Sequence, residues 1–194
     1  MAGMREAVEI VRRVLAGDTS GFEGARFVLA PGRGLHFEHP RATVPLMLGT
    51  WRPRMAALAG EVADELKIGG CMNPDMARLV RRWIGNDEVR LVVGAVTVAD
   101  EDGDAARALA RQRVALYLPV VSALDVTLDA EPGVPLPLDP FVLAGTPEEI
   151  VSRIEALLDA GVGRVEFGPP WGITDESGLT LLADRVLPRV RGAG

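Results

Sequence analysis

The sequence predicts an α/β fold in which parallel strands alternate with helices. Apolar runs typical of buried strands recur along the chain, and most are followed by a segment with helical spacing of apolar residues. Parallel strands need crossover connections, which are usually right-handed helices. With 48% hydrophobic residues, the 194 residues can form one sizeable core, so we expect a single domain over residues 1–194. An open flavodoxin-like sheet and a (β/α) barrel both fit this rhythm, and periodicity does not choose between them.

The amino-terminal part is predicted to be a helix plus a hairpin insertion over residues 1–43. Apolar residues recur at spacings of four and three through residues 4–14, which is typical of an amphipathic helix. Two short runs, residues 22–29 and 35–37, are joined across the glycine- and proline-rich residues 31–34. This pattern predicts a small hairpin or an irregular excursion.

The βα units occupy residues 44–194. A continuous apolar run at 44–49 predicts a buried strand, and residues from Pro53 to about Leu66 have helical spacing, with proline in the first turn. A second short strand is predicted near 66–70, and Asn73-Pro74-Asp75 is a helix-start signal.

A third strand is predicted at 90–99, where β-branched residues are frequent, and it is followed by an alanine-rich helical pattern through Tyr117. Five prolines between residues 118 and 143 predict a short helix and a surface excursion rather than a long helix.

The last unit begins at Thr146, where a cap residue, a proline and Glu149 predict the start of a helix. Residues 163–168 predict a fourth strand, residues 169–172 a rigid loop, and residues 178–190 a closing helix.

Charge and composition exclude several classes of partner. The net charge is −6 and the basic residues are scattered, so no basic stripe for nucleic acid is present. Apolar stretches stay well below the ~20 residues of a membrane span. Cys71 is the only cysteine, and no secretory leader is recognisable. We therefore expect a cytoplasmic protein with neither a nucleic-acid nor a membrane partner.

An ordered series of motifs runs along nearly the whole chain. The motifs are MREAVEIV at 4–11, FEG at 22–24, VPLMLGTWRPRM at 44–55, LAGEVAD at 58–64, GTPEE at 145–149 and VEFG at 165–168. This series resembles the luciferase-like monooxygenase superfamily. Within it, the sequence looks most like deazaflavin-dependent reductases of the methylene-tetrahydromethanopterin reductase type.

The resemblance implies a partial (β/α)8 TIM barrel, because full members have eight βα units and a typical barrel needs ~250 residues. The four strands near 44–49, 66–70, 90–99 and 163–168 resemble strands five to eight, so the chain is expected to be the carboxy-terminal half. An unclosed half-barrel exposes strand edges and an apolar face. Self-association into a homo-oligomer, or pairing with a separate amino-terminal half, would cover them.

The resemblance also implies a function and its cofactors. The expected activity is hydride transfer between reduced coenzyme F420 (a deazaflavin), or reduced FMN, and a small-molecule substrate, in a truncated or split oxidoreductase whose barrel has been completed. The alternative is a non-catalytic remnant or interaction module that keeps only a phosphate-binding loop. An unrelated phosphate-binding protein with the same βα rhythm is a third hypothesis.

The predicted cofactor-binding loop is Gly49, Thr50, Trp51 and Arg52, between a buried strand and a helix. Helix amino termini present free N–H groups that bind phosphate. In the family that the chain resembles, this loop binds the phosphate of the cofactor. Gly49 would allow close approach, Thr50 could donate its hydroxyl and N–H groups, and Arg52 could neutralise charge. Trp51 is larger than the residues often found there, and an ordinary strand-to-helix turn is the alternative.

Glycine and proline residues at two other strand ends are candidates for lining a pocket, since barrel active sites lie at that edge. They are Gly69 and Gly70 after one strand and Gly168, Pro169 and Pro170 after another. Loop punctuation explains each of them equally well.

The remaining ionisable groups have structural interpretations. His36, Glu38 and His39 could suggest a metal site, but an exposed hairpin edge fits better, so no metal is expected. Cys71 has no nearby histidine as base and is interpreted as a small apolar loop residue.

Acidic side chains near strand ends are also given structural roles. Glu166 alternates with Val165 and Phe167 and is expected to pair with an arginine rather than to transfer protons. The acidic residues at 100–104 are interpreted as a helix start. No catalytic residue is assigned from the sequence.

Overall fold

The computed structural model describes residues 1–37, 41, 43–129 and 133–191, and it confirms the α/β class with a parallel sheet. The strands are β1 (Phe22–Glu23), β2 (Val28–Leu29), β3 (Met47–Gly49), β4 (Glu65–Gly69), β5 (Arg90–Ala99), β6 (Val142–Gly145) and β7 (Arg164–Gly172). The helices are α1 (Ala2–Leu15), α2 (Pro53–Val62), α3 (Pro74–Ile84), α4 (Gly103–Val114), α5 (Leu118–Leu124), α6 (Pro147–Asp159), α7 (Asp175–Leu181) and α8 (Leu187–Arg191). A 3-10 turn precedes β6, and a π-helical turn joins α7 to α8.

Strand β5 is the centre of the main sheet. It pairs with β4 through residues 90–94, with β6 through residues 96–99 and with β7 through residues 92–99, and all three pairings are parallel. Because β7 runs along most of one edge of β5, β4 and β6 must share the opposite edge. Strand β3 pairs in parallel with β4, which makes β3 and β7 the outer strands of the β3-β4-β5-β7 ladder.

Helices α2, α3 and α6 cover one face of the sheet. On that face the strands contribute alternate residues such as Leu66, Ile68, Leu91 and Val93, which pack with these helices in one buried cluster. The alternation of side chains in a strand leaves Glu65, Lys67, Arg164 and Glu166 on the other face. Near the carboxyl end of β5, Val98 on that other face joins β6, α4 and α5 in a second cluster.

Side-chain caps begin three helices where the sequence predicted. Asn73 accepts a hydrogen bond from the N–H of Asp75, and Asp102 accepts from Asp104 and Ala105. Thr146 and Glu149 form a reciprocal capping box. These caps are local, because each polar side chain satisfies a free N–H within three residues.

The prediction of one helix from Pro53 to Leu66 is wrong at its carboxyl end. Helix α2 ends at Val62, and Leu66 lies fully buried in β4. The N–H groups of Asp64 and Glu65 both donate to the carbonyl of Leu46, at 2.9 and 3.1 Å. Pairing with the preceding strand therefore overrides helical spacing at this point.

Strand boundaries differ from the prediction at three other places. The first strand begins at Met47 rather than at residue 44, and β6 lies at the end of a segment that was predicted to be a surface excursion. Residues 169–172, predicted as a loop, continue β7 through a cis bond between Pro169 and Pro170. Thr174 caps the last helical segment, which starts at Asp175 rather than at residue 178.

The predicted hairpin is also shifted. Strands β1 and β2 pair antiparallel within the first run, Phe22 with Leu29, and residues 35–37 form no strand. The carboxylate of Glu6 in α1 accepts hydrogen bonds from the N–H groups of Ala25, Arg26 and Phe27. Burial raises the pKa of Glu6, but these three backbone donors outweigh it and lower the pKa below its usual value.

Substitution Glu6→Gln is expected to loosen this hairpin. Amide hydrogen exchange at residues 25–27 should accelerate about tenfold at neutral pH, because charge-assisted hydrogen bonds are lost. Since the folded-state pKa is lowered, the stabilisation exists above the unfolded-state pKa and disappears as the pH falls through the folded-state value. In acid, the exchange rates of the wild type at residues 25–27 should therefore approach those of Glu6→Gln. Glu9→Gln, which removes only an exposed pair with Arg13, is the matched control, and equal exchange in all three proteins would contradict the anchoring role.

Among the described helices, none combines the length and apolar character that crossing a membrane requires.

Candidate functional site

The predicted loop lies at the carboxyl end of β3 and immediately precedes α2. Gly49 is the last residue of β3, and Arg52 is the N-cap residue of α2 in an extended conformation. The N–H of Thr50 donates to the carbonyl of Lys67 at 3.0 Å, so it is not available to a ligand, contrary to the prediction. The Thr50 hydroxyl oxygen accepts from the N–H of Arg52 at 3.0 Å, which leaves its own proton free to donate.

Two backbone donors at the start of α2 remain available. The first intrahelical bond runs from the N–H of Ala56 to the carbonyl of Arg52. Within the described residues, the N–H groups of Arg54 and Met55 have no hydrogen-bond partner. The Arg52 side chain is exposed beside them. This helix terminus thus combines free N–H groups, a hydroxyl group and a guanidinium, a donor set suited to an anion.

Trp51 joins the loop to the end of the next strand. Its indole Nε1 donates to the carbonyl of Gly69 at 3.1 Å, and the ring packs against both buried clusters. The side chain therefore lies sideways across the sheet end and fixes the loop relative to β4.

Open space lies beside two glycines at this end of the sheet. A Cβ atom added to Gly69 would have no neighbour within 4 Å, and one added to Gly49 would meet only the Lys67 carbonyl, at 4.0 Å. Gly70 has φ of +70°, which favours glycine, and a Cβ there would lie 3.2 Å from Val121 and 3.8 Å from Tyr117 of the α4–α5 region. The backbone at Gly49 and Gly69 is thus accessible to a ligand, whereas Gly70 packs against Val121 and Tyr117.

Charged side chains cross the sheet face opposite α2, α3 and α6 and form an ion-pair ladder, defined as Glu65, Lys67, Arg164 and Glu166. Lys67 pairs with Glu166, whose other carboxylate oxygen lies 3.1 Å from Arg164. Arg164 also binds Glu65 with two hydrogen bonds, of 2.8 and 2.7 Å. Only Glu166 was singled out from the sequence. The others could have been found by noticing that β4 and β7 each alternate charged with apolar residues.

The predicted pairing of Glu166 is confirmed, with Lys67 as an additional partner. The hydrogen bond from Lys67 is the main cause that lowers the pKa of Glu166, burial opposes it, and Arg164 contributes in the same direction as Lys67. The carboxyl group is thus held ionised at neutral pH.

Cys71 is confirmed as a structural residue. Its side chain is fully buried, and burial raises the pKa of the thiol to about 12. A thiol in this state is neither a nucleophile nor a metal ligand at neutral pH.

The metal prediction is tested only in part. Of the three residues considered, Glu38 and His39 lie outside the described residues, and His36 belongs to an irregular segment. Across the part of the chain that the structure describes, no group of three or more potential metal-ligating side chains occurs.

The second group of predicted pocket residues lies inside β7 rather than in a loop. A Cβ atom at Gly168 would lie 2.8 Å from the Ala95 carbonyl, so Gly168 is required for close packing between β7 and β5. Pro169 and Pro170 are likewise strand residues. Gly168 pairs with Val96, whereas Pro169 and Pro170 lie in the irregularity before Trp171 pairs with Val98. The acidic segment at 100–104 begins α4 as predicted, and its Asp102 caps the helix.

The fold and the motif series define a family. The chain belongs to the luciferase-like monooxygenase family, whose model matches residues 1–164. A 5,10-methylenetetrahydromethanopterin reductase of Archaeoglobus fulgidus is 26% identical over an alignment 222 positions long, gaps included, which covers 97% of this chain and 66% of that protein.

Solved structures share the fold. The coenzyme F420-dependent tetrahydromethanopterin reductase from Methanopyrus kandleri superposes with a TM-score of 0.81 at 23% identity, over 96% of this chain and 62% of that one. The oxygenating constituent of 3,6-diketocamphane monooxygenase from Pseudomonas putida, solved with FMN, has a TM-score of 0.59 at 15% identity, over 95% and 62%. The chain therefore spans less than two thirds of the length of these proteins. The Methanopyrus enzyme depends on F420, and the Pseudomonas structure contains FMN.

Proposed function

We propose that this chain is the carboxy-terminal half of a (β/α)8 barrel and that, once the barrel is completed, it serves in an F420- or FMN-dependent oxidoreductase. The observation that carries the proposal is the parallel β3-β4-β5-β7 sheet, with α2, α3 and α6 on one face and partly exposed ionic groups on the other. In a closed barrel the helices surround the strands, and the face with the ionic groups would lie inside.

The residues at the β3–α2 loop fit the phosphate of such a cofactor. The N–H groups of Arg54 and Met55 and the Thr50 hydroxyl are free to donate, Arg52 supplies positive charge, and Gly49 leaves room for close approach. When bound, the cofactor supplies the ring that accepts hydride from a small organic substrate or donates hydride to it. Trp51 holds the loop in place through its hydrogen bond to Gly69.

Completion of the barrel requires strands next to β3 and β7. A second copy of this chain or a separate amino-terminal half would supply them and would also exclude water from the interior face. We place the assembled protein in the cytoplasm.

The alternative is a non-catalytic module that keeps only the phosphate loop. It is favoured by the state of the ionisable groups described above: Glu166 is ion-paired and Cys71 is buried and protonated. Binding of F420 or FMN without any turnover in the completed assembly would support this alternative.

The Thr50→Glu variant tests the loop. A carboxylate at this position would repel the phosphate, so the affinity for FMN and for F420 should fall at least about tenfold, equivalent to ~1.4 kcal/mol. Quenching of cofactor fluorescence during titration with protein measures the change.

Ser152→Glu is the matched control, because Ser152 is exposed in the middle of α6 and the substitution adds the same charge. Its affinity should equal that of the wild type. If Thr50→Glu binds FMN and F420 as tightly as the control, the loop is not the phosphate site. If the wild type binds neither cofactor, the proposed function itself is wrong.

A further inference from the structure

We propose that the Lys67–Glu166 ion pair recognises the imide edge of the cofactor ring, the adjacent carbonyl and N–H groups of its pyrimidinedione portion. This inference rests on the proposed function and extends it from the phosphate to the ring. It assigns a binding role to two residues that lie 99 positions apart in the sequence.

The pair spans the centre of the sheet. Lys67 lies in β4 and Glu166 in β7, and their side chains meet across Gly94 of the intervening strand β5. A Cβ atom at Gly94 would lie 3.1 Å from Cβ of Glu166 and 3.6 Å from Cε of Lys67. The absence of a side chain at Gly94 therefore gives the two charged groups room to meet over the backbone.

The pair is held in place but retains capacity to bind. Arg164 contacts the second oxygen of Glu166 at 3.1 Å and is itself fixed by Glu65, whose side chain is only 13% exposed. Lys67 and Glu166 are each 35% exposed. An ammonium has three donors and a carboxylate about four acceptor positions, so one mutual hydrogen bond leaves both groups able to bind a ligand.

The neighbouring surface is accessible. Gly69 is the register partner of Gly94 on β4, and no atom lies within 4 Å of a Cβ built there. Val92 lies between Lys67 and Arg164 in the register and is fully buried, so the exposed part of this region is polar. Lys67 thus lies two residues before Gly69, the last residue of β4, whose backbone is open on this side and whose carbonyl accepts from Trp51.

The chemistry of the pair matches an imide. An ammonium donates to a carbonyl oxygen, and the carboxylate beside it accepts from the adjacent N–H, so both groups of the edge are satisfied together. Flavins and deazaflavins share this pyrimidinedione edge, so the same pair would serve FMN and F420. A purely structural ion pair, covered by the polypeptide that completes the barrel, would not distinguish a ring that has the imide N–H from one that lacks it.

The test uses riboflavin, which has the ring without the phosphate, and N3-methylriboflavin, in which the imide proton is replaced. The wild-type protein should bind riboflavin about tenfold more tightly than the methylated ring, because Glu166 loses its donor and meets a methyl group. The double variant Lys67→Met/Glu166→Leu removes both charges together and avoids an unpaired one. It should bind the two rings equally, while Lys67→Arg, which keeps a donor, should retain the preference.

Two controls separate this result from other effects. Glu155→Gln removes an exposed carboxylate in α6, away from the ladder, and should keep the preference for riboflavin. Circular dichroism should confirm that each variant is folded. The ratio of FMN to riboflavin affinity should be unchanged in the double variant but should fall in Thr50→Glu.

Equal binding of riboflavin and N3-methylriboflavin by the wild type would overturn the inference while leaving the phosphate loop intact. So would a preference that persists in a folded double variant. If the wild type binds none of riboflavin, FMN and F420, both this inference and the proposed function are wrong.

Discussion

The Gly60→Ala variant is expected to lose about 3 kcal/mol of unfolding free energy, because its new methyl group would overlap the neighbouring helix. A Cβ atom at Gly60 in α2 would lie 2.0 Å from the carbonyl oxygen of Ile84, the last residue of α3. The Ile84 carbonyl is a backbone group and cannot rotate away as a flexible side chain can, so α2 and α3 must move apart. The carbonyl of Gly60 also accepts from Asn86 at 2.9 Å, and this hydrogen bond would be strained. Urea denaturation measures the loss.

The matched control is Gly69→Ala, where nothing lies within 4 Å of the added atom, and its stability should stay within about 0.5 kcal/mol of the wild type. Because α2 begins at the proposed phosphate loop, the displacement in Gly60→Ala should also weaken FMN binding. A variant as stable as the wild type would show that the close approach of α2 to α3 is not required.

The second large effect is expected for Asn73→Ala, at about 2–3 kcal/mol of unfolding free energy. The amide of Asn73 donates to the buried carboxylate of Asp125 at 2.8 Å and to Thr127 at 2.9 Å, while its oxygen caps α3. Removal would lose the cap and leave one oxygen of a buried carboxylate without a donor. Thermal and urea unfolding both report this loss.

Asn73→Asp separates the two contributions. Aspartate caps helices as well as asparagine does, but here it would place a second carboxylate beside Asp125. Two ionised carboxylates at this separation repel, and protonation of either relieves the repulsion. The deficit of Asn73→Asp should therefore shrink more steeply as the pH falls than that of Asn73→Ala, because the helix cap that Asn73→Ala loses does not titrate. Parallel pH dependence of the two variants would mean that the link to Asp125 contributes nothing.

The sequence predicted features that depend on neighbouring residues. The α/β class follows from the alternation of patterns, and the caps at Asn73, Asp102 and Thr146 each act within three residues. The limits of β5, Arg90–Ala99, were also predicted because a long β-branched run has no helical competitor.

Errors occurred where distant residues decide the structure. Leu66 has helical spacing from Val62, yet pairing with β3 places it in a strand. The hairpin position depends on Glu6, which is about 20 residues away from the amides that it binds. β6 is only four residues long and follows a proline-rich segment, so its pairing with β5 left no periodic signal.

The candidate site shows the same division. The position of the Gly49–Arg52 loop between a strand and a helix could be predicted, because a buried apolar run and Pro53 define it locally. Two other features could not be predicted, because their partners come from separate strands. They are the hydrogen bond from Thr50 to Lys67 and the ion-pair ladder between β4 and β7.

The burial of Cys71 gives the protein an internal reporter of opening. A solitary thiol with no solvent exposure and a pKa of about 12 should resist a disulfide reagent such as Ellman's compound in the native state and react once the core around α3 becomes accessible. The colour yield is one equivalent per chain, because no other sulfhydryl competes. The labelling rate would thus report the frequency of local opening around Cys71, without any introduced probe.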